Sequence, residues 1–273
     1  MTARLCARSL TLSYDGRPVV SGLDFEVPDG QVTAIIGPNG CGKSTLLRAL
    51  GRVMAPAEGD VLLDGVSLRS IPTRQVARQI ALLPQSPEAP AGLTVAELVA
   101  RGRHPHQRWY EQFGRADESV VRESMAATGV DHLGDMPLDE LSGGQRQRAW
   151  LSMSLAQQTE IVLLDEPTTY LDLAHQVEVL ELVRDLNRQH GRTVLMVLHD
   201  ISLAARYASQ IVAMKDGAIV ASGNPDEVVT EDLLADVFGL RAAIVREPVQ
   251  GRPHVMPLGL AAQLTPDRGP DEV

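Results

Sequence analysis

The sequence predicts an α/β fold: a core built on a parallel sheet, with an antiparallel β subdomain and an inserted α-helical subdomain. Short β-branched apolar runs bounded by glycine or proline recur along the chain, which is typical of strands buried on both faces. One such run, residues 31–37, leads through a glycine-rich turn into a helix that starts near Lys43, as at the start of a parallel α/β unit. From about 86 to 156 the pattern is mostly helical, so a helical segment interrupts the core.

The individual elements follow from local patterns. Residues 5–27 alternate apolar and polar side chains around Asp15-Gly16, which predicts a strand, a turn and a strand. Proline and glycine punctuate the helices of the inserted segment. The other predicted elements are a hairpin at 59–68, strands at 31–37, 80–84, 161–167 and 193–199, a pair of strands within 211–223, and helices at 175–189 and 231–239.

These elements divide the chain into a core that is split by an insertion. We expect the first part of a catalytic core at 1–87, a helical subdomain at 88–155 and the second part of the core at 156–259. The tail at 260–273 is rich in proline and charge, and it is predicted to be poorly ordered.

Composition limits the possible classes of function. The chain has 273 residues and a net charge of -10, and only 3% of its residues are aromatic, which argues against nucleic-acid binding. Two distant cysteines disfavour both a disulfide scaffold and a metal site. We find no run of 18 apolar residues and no secretory signal, so any work at a membrane requires another subunit as anchor.

Residues 37–45 carry the sharpest chemical signal. They fit the pattern G-x-x-x-x-G-K-[ST], in which glycines let backbone N–H groups converge on phosphates and the next helix points its positive end at them. Lys43 is placed to add charge near the β and γ phosphates, and the Ser44 hydroxyl can ligate Mg²⁺. The predicted nucleotide-binding residues are Gly37, Pro38, Asn39, Gly40, Cys41, Gly42, Lys43, Ser44 and Thr45. Because this turn lies between a buried strand and a helix, a P-loop NTPase (RecA-like) core is favoured over a chance glycine-rich turn.

Two carboxylates end the apolar run at 161–166. In a parallel sheet, ligands bind beyond the carboxyl ends of the strands, and a charge at the end of a buried strand needs a partner. Asp165 is therefore placed to hold Mg²⁺, directly or through water, and Glu166 to polarise an attacking water as a general base. An ordinary strand followed by a capping acid is the alternative, and the P-loop disfavours it.

A second glycine turn, at 141–145, also opens a helix. It is a second anion site by the same physics, and one chain has no obvious need for two. Two chains arranged head to tail do need it. The residues of this turn that we expect to contact nucleotide are Ser142, Gly143, Gly144 and Gln145.

Taken in order, the motifs at 37–45, 141–145 and 161–166, followed by His199, resemble an ABC transporter ATPase. The order is more specific than any single motif, and the resemblance extends over roughly 5–259. It implies ATP and Mg²⁺ as cofactors, and ATP hydrolysis in which Glu166 is catalytic. An ordinary P-loop kinase or GTPase is disfavoured by the second glycine turn and by His199.

The resemblance also implies roles for single residues. Tyr14 stands where the family stacks an aromatic ring on adenine; a plain strand aromatic is the alternative. Gln85 matches a catalytic glutamine that contacts Mg²⁺ and the attacking water and links the core to the helical insertion; a loop glutamine is its alternative. His199, 34 residues after Asp165, matches the family's catalytic γ-phosphate histidine, whereas a lone histidine is more often structural.

Further matches concern contacts between two copies. The turn at 141–145 matches the signature that closes over the γ-phosphate of the opposite subunit, and residues 170–172 match a loop that the family uses at the dimer contact, with Asp172 as its firmest member. The resemblance therefore implies a head-to-tail dimer. Cys41 occupies a variable position of the P-loop and is interpreted as a passenger rather than a redox sensor.

Finer resemblance concerns the transport system. The stretches 97–109, 165–187, 199–223 and 247–259 are similar to importer subunits for ferric siderophores, a group that includes haem and cobalamin importers. This implies integral-membrane permease subunits as partners, indirectly a substrate-binding protein, and a peripheral location at the cytoplasmic face of the cell membrane. Import of haem or cobalamin, or a soluble ABC ATPase of cluster assembly, stays open as an alternative.

Overall fold

The computed structural model describes residues 3–107 and 113–261. Its strands are β1 (Leu5–Tyr14), β2 (Arg17–Val27), β3 (Val32–Ile36), β4 (Glu58–Leu63), β5 (Val66–Ser67), β6 (Ile80–Leu83), β7 (Ile161–Asp165), β8 (Thr193–Val197), β9 (Gln210–Lys215), β10 (Ala218–Gly223), β11 (Leu240–Arg246) and β12 (Pro253–Leu260). Its helices are α1 (Lys43–Leu50), α2 (Thr73–Val76), α3 (Val95–Arg101), α4 (Arg115–Ala127), α5 (Gly143–Ala156), α6 (Leu173–His190), α7 (Ile201–Tyr207), α8 (Pro225–Val228) and α9 (Glu231–Phe238).

The central sheet has six strands in the order β10-β9-β3-β8-β7-β6. From β9 to β6 all neighbours are parallel, and β10 closes one edge antiparallel to β9. Every residue of β3, β7 and β8 is buried, because helices cover both faces of a parallel sheet. The predicted α/β class is thereby confirmed, and the short apolar runs of the sequence are these strands.

A second, antiparallel sheet has the order β2-β1-β4-β5. The predicted turn joins β1 to β2, with Asp15 and Gly16 both at positive φ. Helix α1 lies between this sheet and the central one: its Leu46, Leu47 and Leu50 are fully buried in one hydrophobic cluster with residues of both sheets. Helix α1 is therefore held on two sides by packing rather than by its own propensity.

Helices α3, α4 and α5 pack on one another in the helical insertion, and one buried arginine ties their ends together. Arg103 follows α3 and is 8% exposed. Its Nε donates to Asp117 Oδ1 in α4 at 2.9 Å, and its Nη1 donates to the carbonyl of Ala156 in α5 at 2.7 Å. A third donation reaches Gln158 Oε1 at 2.9 Å. A buried guanidinium with three such hydrogen bonds favours one arrangement of the three helices.

Strands β11 and β12 form a hairpin that the sequence patterns did not predict. It begins where we expected the last helix to close the core, and Leu260, assigned to the tail, pairs with Leu240. Proline at 253 and 257 and glycine at 259 weaken the strand signal of β12. Its docking is tertiary: the Val255 N–H donates to Ser202 Oγ in α7 at 3.0 Å. The rest of the predicted tail, 262–273, lies outside the described residues.

Replacing Arg103 with methionine removes the buried member of a pair whose other member, Asp117, is half-buried. We expect a loss of about 1.5–3 kcal/mol in the free energy of unfolding, as for a hydrogen bond to a charged group, measured by urea denaturation. The double variant Arg103→Met/Asp117→Leu should recover part of that loss, since the carboxylate that loses its partner is then absent too. Arg122→Met, which removes the exposed pair with Glu118, is the control and should change stability by about 0.5 kcal/mol or less. Equal losses of stability in Arg103→Met and Arg122→Met would contradict the structural role of Arg103.

Candidate nucleotide-binding site

The loop between β3 and α1 has the backbone that a phosphate cradle needs. A Cβ at Gly37 would lie 2.2 Å from the Met214 carbonyl oxygen of β9, so only glycine fits. Gly40 and Gly42 have φ of 79° and 101°, in the left-handed region that favours glycine. The Lys43 ammonium donates to the carbonyls of Gly37 and Pro38, each at 2.8 Å, and is thereby held across the loop.

Ser44 and Asp165 meet beneath this loop. The Ser44 hydroxyl donates to Asp165 Oδ1 at 2.7 Å. Asp165 is fully buried, and its Oδ2 has no hydrogen-bond partner among residues 3–107 and 113–261. Burial raises the pKa of Asp165, while the Ser44 hydroxyl acts in the opposite direction. A buried carboxylate oxygen without a hydrogen-bond partner costs free energy, and a cation would remove that cost. The Ser44 hydroxyl and the Asp165 carboxylate are ligands that suit Mg²⁺.

The Glu166 carboxylate contacts three side chains of the site. Its Oε1 lies 2.7 Å from His199 Nε2, and its Oε2 accepts from Gln85 Nε2 at 2.7 Å. The Thr169 hydroxyl also donates to Oε2, at 3.1 Å. The Glu166 backbone has φ of 54°, an uncommon conformation for a residue with a side chain, and such strain clusters at functional sites.

A cavity of about 270 Å³ lies over these groups. It is lined by Val19, Asn39, Gly40, Gly42, Lys43, Ser44, Thr45, Gln85, Glu166 and His199. The sequence analysis singled out all of these except Val19, an aliphatic residue with no sequence signal. Gly37, Pro38 and Cys41 belong to the same loop but are not part of the lining, and Cys41 is buried.

Tyr14 lies outside the lining of this cavity. Its side chain is 44% exposed, and its hydroxyl lies 3.5 Å from Arg48 Nη1. The ring is therefore open to solvent at the end of β1, and its adenine-stacking role stays a prediction.

The residues of the second predicted anion site form the capped start of α5, and anion binding there stays a prediction. Ser142 is the N-cap of α5: its hydroxyl accepts from the Gln145 N–H at 3.2 Å, and its own N–H donates to Gln145 Oε1 at 3.0 Å. Gly143 lines a separate cavity of about 320 Å³ together with Gln85 and Tyr170. Neither Ser142, Gly144 nor Gln145 lines the phosphate-loop cavity. The two cavities are distinct, and Gln85 lines both of them.

The loop after Asp165 and Glu166 is the part of the site that the sequence analysis described least. Tyr170 has φ of 66° and is 75% exposed, and Asp172 caps α6 by accepting from the His175 N–H at 3.0 Å. Thr169 was not singled out from sequence at all. Its signal is positional, since a hydroxyl three residues after a glutamate can close a turn onto that side chain.

A glycine cradle on a helix start, a hydroxyl on a buried carboxylate and an adjacent acid define a P-loop ATPase. Residues 20–169 match the family model described as ABC transporter. The ferric enterobactin transport ATP-binding protein FepC of Escherichia coli (strain K12) is 53% identical, over 96% of this chain and 97% of that protein. The petrobactin import ATP-binding protein FpuD of Bacillus anthracis is 51% identical, over 95% of each.

Two further comparisons extend this picture. A hemin import ATP-binding protein of Gloeobacter violaceus is 40% identical, over 96% of this chain and 97% of that protein. A solved structure, an inward-facing conformation of a putative metal-chelate type ABC transporter, superposes with a TM-score of 0.80 at 27% identity, covering 95% of this chain and 98% of that one. This chain belongs to the ABC transporter family. It is an ATP-binding subunit that hydrolyses ATP.

The glycine requirement differs between two positions of the loop, and this difference is measurable. Gly40→Ala meets no atom within 4 Å and costs only the left-handed backbone, about 1–2 kcal/mol of unfolding free energy. Gly37→Ala must also displace the backbone of β9, which adds about 1–3 kcal/mol. Urea denaturation without nucleotide should therefore rank Gly37→Ala as the less stable variant, and the reverse order would refute this geometry.

Proposed function

We propose that this ATPase powers the import of ferric siderophores through an ABC transporter. The proposed cargo rests on sequence identity. The chain is 53% and 51% identical, over nearly its whole length, to import subunits named for siderophores, against 40% for the hemin relative. Cargo does not contact this chain in the proposal, because it passes through other subunits. The convergence of Gln85 and His199 on Glu166 supports the hydrolytic part.

We assign the steps of hydrolysis to the residues around the phosphate loop. The loop N–H groups and Lys43 bind the β and γ phosphates, and Ser44, Asp165 and Gln85 are the residues to hold Mg²⁺. Mg²⁺ bound by these residues would supply positive charge to offset the charge of the phosphates. Glu166 takes the proton of the attacking water.

The remaining contacts concern the base and the γ-phosphate. Tyr14 stacks on the adenine. The His199 side chain turns away from Glu166 and donates a hydrogen bond to the γ-phosphate. His199 is 47% exposed at its side chain and Glu166 only 8%, so the histidine is the member of the pair with room to turn.

The second copy completes the site. Because Ser142, Gly143, Gly144 and Gln145 lie away from the phosphate loop of their own chain, we propose that they close over the nucleotide of a partner in a head-to-tail dimer. To move an open–closed equilibrium from 1:99 to 99:1, ATP must favour closure by about 5.5 kcal/mol. Contacts to a charged γ-phosphate contribute about 1.5–3 kcal/mol each, so a few of them suffice.

The membrane partner supplies the anchor. Within 3–107 and 113–261, no helix is both long and apolar enough to cross a membrane. We propose that the core at 1–87 and 156–259 binds nucleotide and that the helical subdomain at 88–155 contacts an integral-membrane permease at the cytoplasmic face. Gln85 lies at the junction and contacts Glu166, which links the state of the site to the permease. A substrate-binding protein delivers cargo from the other side, and no nucleic acid is involved.

Glu166→Gln should trap the closed dimer, because the amide keeps the shape of the side chain but is a poor base. We expect ATP to shift the full-length variant from monomer to dimer in sedimentation velocity, whereas ADP leaves it monomeric. Adding Ser142→Arg should block the shift without preventing ATP binding. A Glu166→Gln variant that binds ATP yet stays monomeric would contradict the head-to-tail arrangement.

Deletion of the gene should abolish uptake of radiolabelled iron presented as a ferric siderophore. We expect wild type to restore uptake and Glu166→Gln to fail. Labelled cobalamin and haem run beside the iron. Unchanged iron uptake with loss of one of these would keep the motor and change the cargo. If nothing changes, a pull-down that recovers a soluble cluster-assembly scaffold instead of a polytopic permease would overturn the transport role.

A further inference from the structure

The structure assigns Thr169 as the residue that positions the Glu166 carboxylate for hydrolysis. This inference rests on the proposed role of Glu166 as general base. Thr169 contacts Glu166 twice: its hydroxyl donates to Oε2 at 3.1 Å, and its backbone N–H donates to the Glu166 carbonyl at 3.2 Å. The second bond closes a turn that begins at Glu166, whose φ is 54°. Thr169 therefore contacts both the backbone and the side chain of the base.

Glu166 needs such a partner because its carboxylate is almost fully removed from water. The residue is 6% exposed, and an ionised carboxylate at that depth is tolerated only with hydrogen-bond donors around it. Three side chains supply these donors: His199 at Oε1, and Gln85 and Thr169 at Oε2.

The three donors differ in their positions and in the other contacts that we propose for them. Gln85 follows β6 at the junction with the helical insertion, and His199 follows β8. Both line the phosphate-loop cavity, and we propose that both contact bound nucleotide, Mg²⁺ or water. Contacts made there compete with their contacts to Glu166. Thr169 does not line that cavity, and Glu166 is the acceptor of its hydroxyl.

Thr169 also lies in the same loop as Glu166, three residues further along. It moves with the base when Gln85 and His199 turn to the nucleotide, and it then holds Oε2 while Oε1 faces the attacking water. Because a positioning group of this kind acts in the transition state rather than on ATP binding, its loss should lower kcat and leave KM unchanged.

The chain offers a matched set of variants. Thr169→Val keeps the shape and removes the hydroxyl, and Thr169→Ser keeps the hydroxyl. Thr168→Val is the control: Thr168 is half-buried in the same loop, and its hydroxyl makes no hydrogen bond within the part of the chain that the structure describes. Glu166→Gln reports whether the base itself is required.

ATP hydrolysis by the full-length chain is measured as phosphate release against ATP concentration, together with thermal unfolding and ATP affinity. We expect Thr169→Val to lower kcat about tenfold or more, as for loss of a hydrogen bond to a charged group, with KM within about twofold. Thr169→Ser and Thr168→Val should stay within about threefold of wild type.

Each other outcome overturns the assignment. Wild-type kcat in Thr169→Val, with Glu166→Gln inactive, removes the positioning role and leaves the ATPase mechanism standing. Equal losses in Thr169→Ser and Thr169→Val, or a raised KM with lowered thermal stability, make Thr169 a structural residue only. Full activity in Glu166→Gln refutes the base itself, and with it both the proposed mechanism and this inference.

Discussion

The site depends on one constraint. Strand β7 is buried along its whole length, ends in Asp165 and is followed by Glu166, so two adjacent carboxylates need hydrogen-bond partners where little water reaches them. Asp165 accepts a hydrogen bond from Ser44 on one oxygen, and its other oxygen has no partner within 3–107 and 113–261, which suits a cation. Glu166 is bonded on both oxygens, by His199 on one side and by Gln85 and Thr169 on the other. The neighbouring acids thus have different environments, which suit the different roles that we propose for them, metal ligand and base.

The order of the central sheet supplies those partners. Strands β6, β7, β8 and β3 are consecutive neighbours and parallel, so their carboxyl ends meet at one edge. Gln85 comes after β6, His199 after β8 and the phosphate loop after β3. Residues far apart in sequence therefore meet because of strand order, and helix α1, buried between the two sheets, keeps the loop in place.

The same architecture is the basis of the proposed dimer. The capped start of α5 does not line the phosphate-loop cavity of its own chain. In the proposed head-to-tail dimer, a second copy brings its α5 start to the nucleotide, and ATP contacts both chains at once. Arg103, which follows α3, donates hydrogen bonds to α4 and to the carboxyl end of α5 and so joins the three helices of the insertion.

The sequence by itself determined the class, the phosphate loop, the two carboxylates and the helical insertion. These signals are local: glycine spacing, apolar runs and a helix opening are read within ten or so residues of each other. Only the tertiary structure decided that Gln85, His199 and Thr169 share one carboxylate and that Val19 lines the cavity. It also decided that the hairpin of β11 and β12, weakened by proline and glycine, packs on α7. Such contacts depend on strand order and on burial of partners distant in sequence, and no local pattern encodes them.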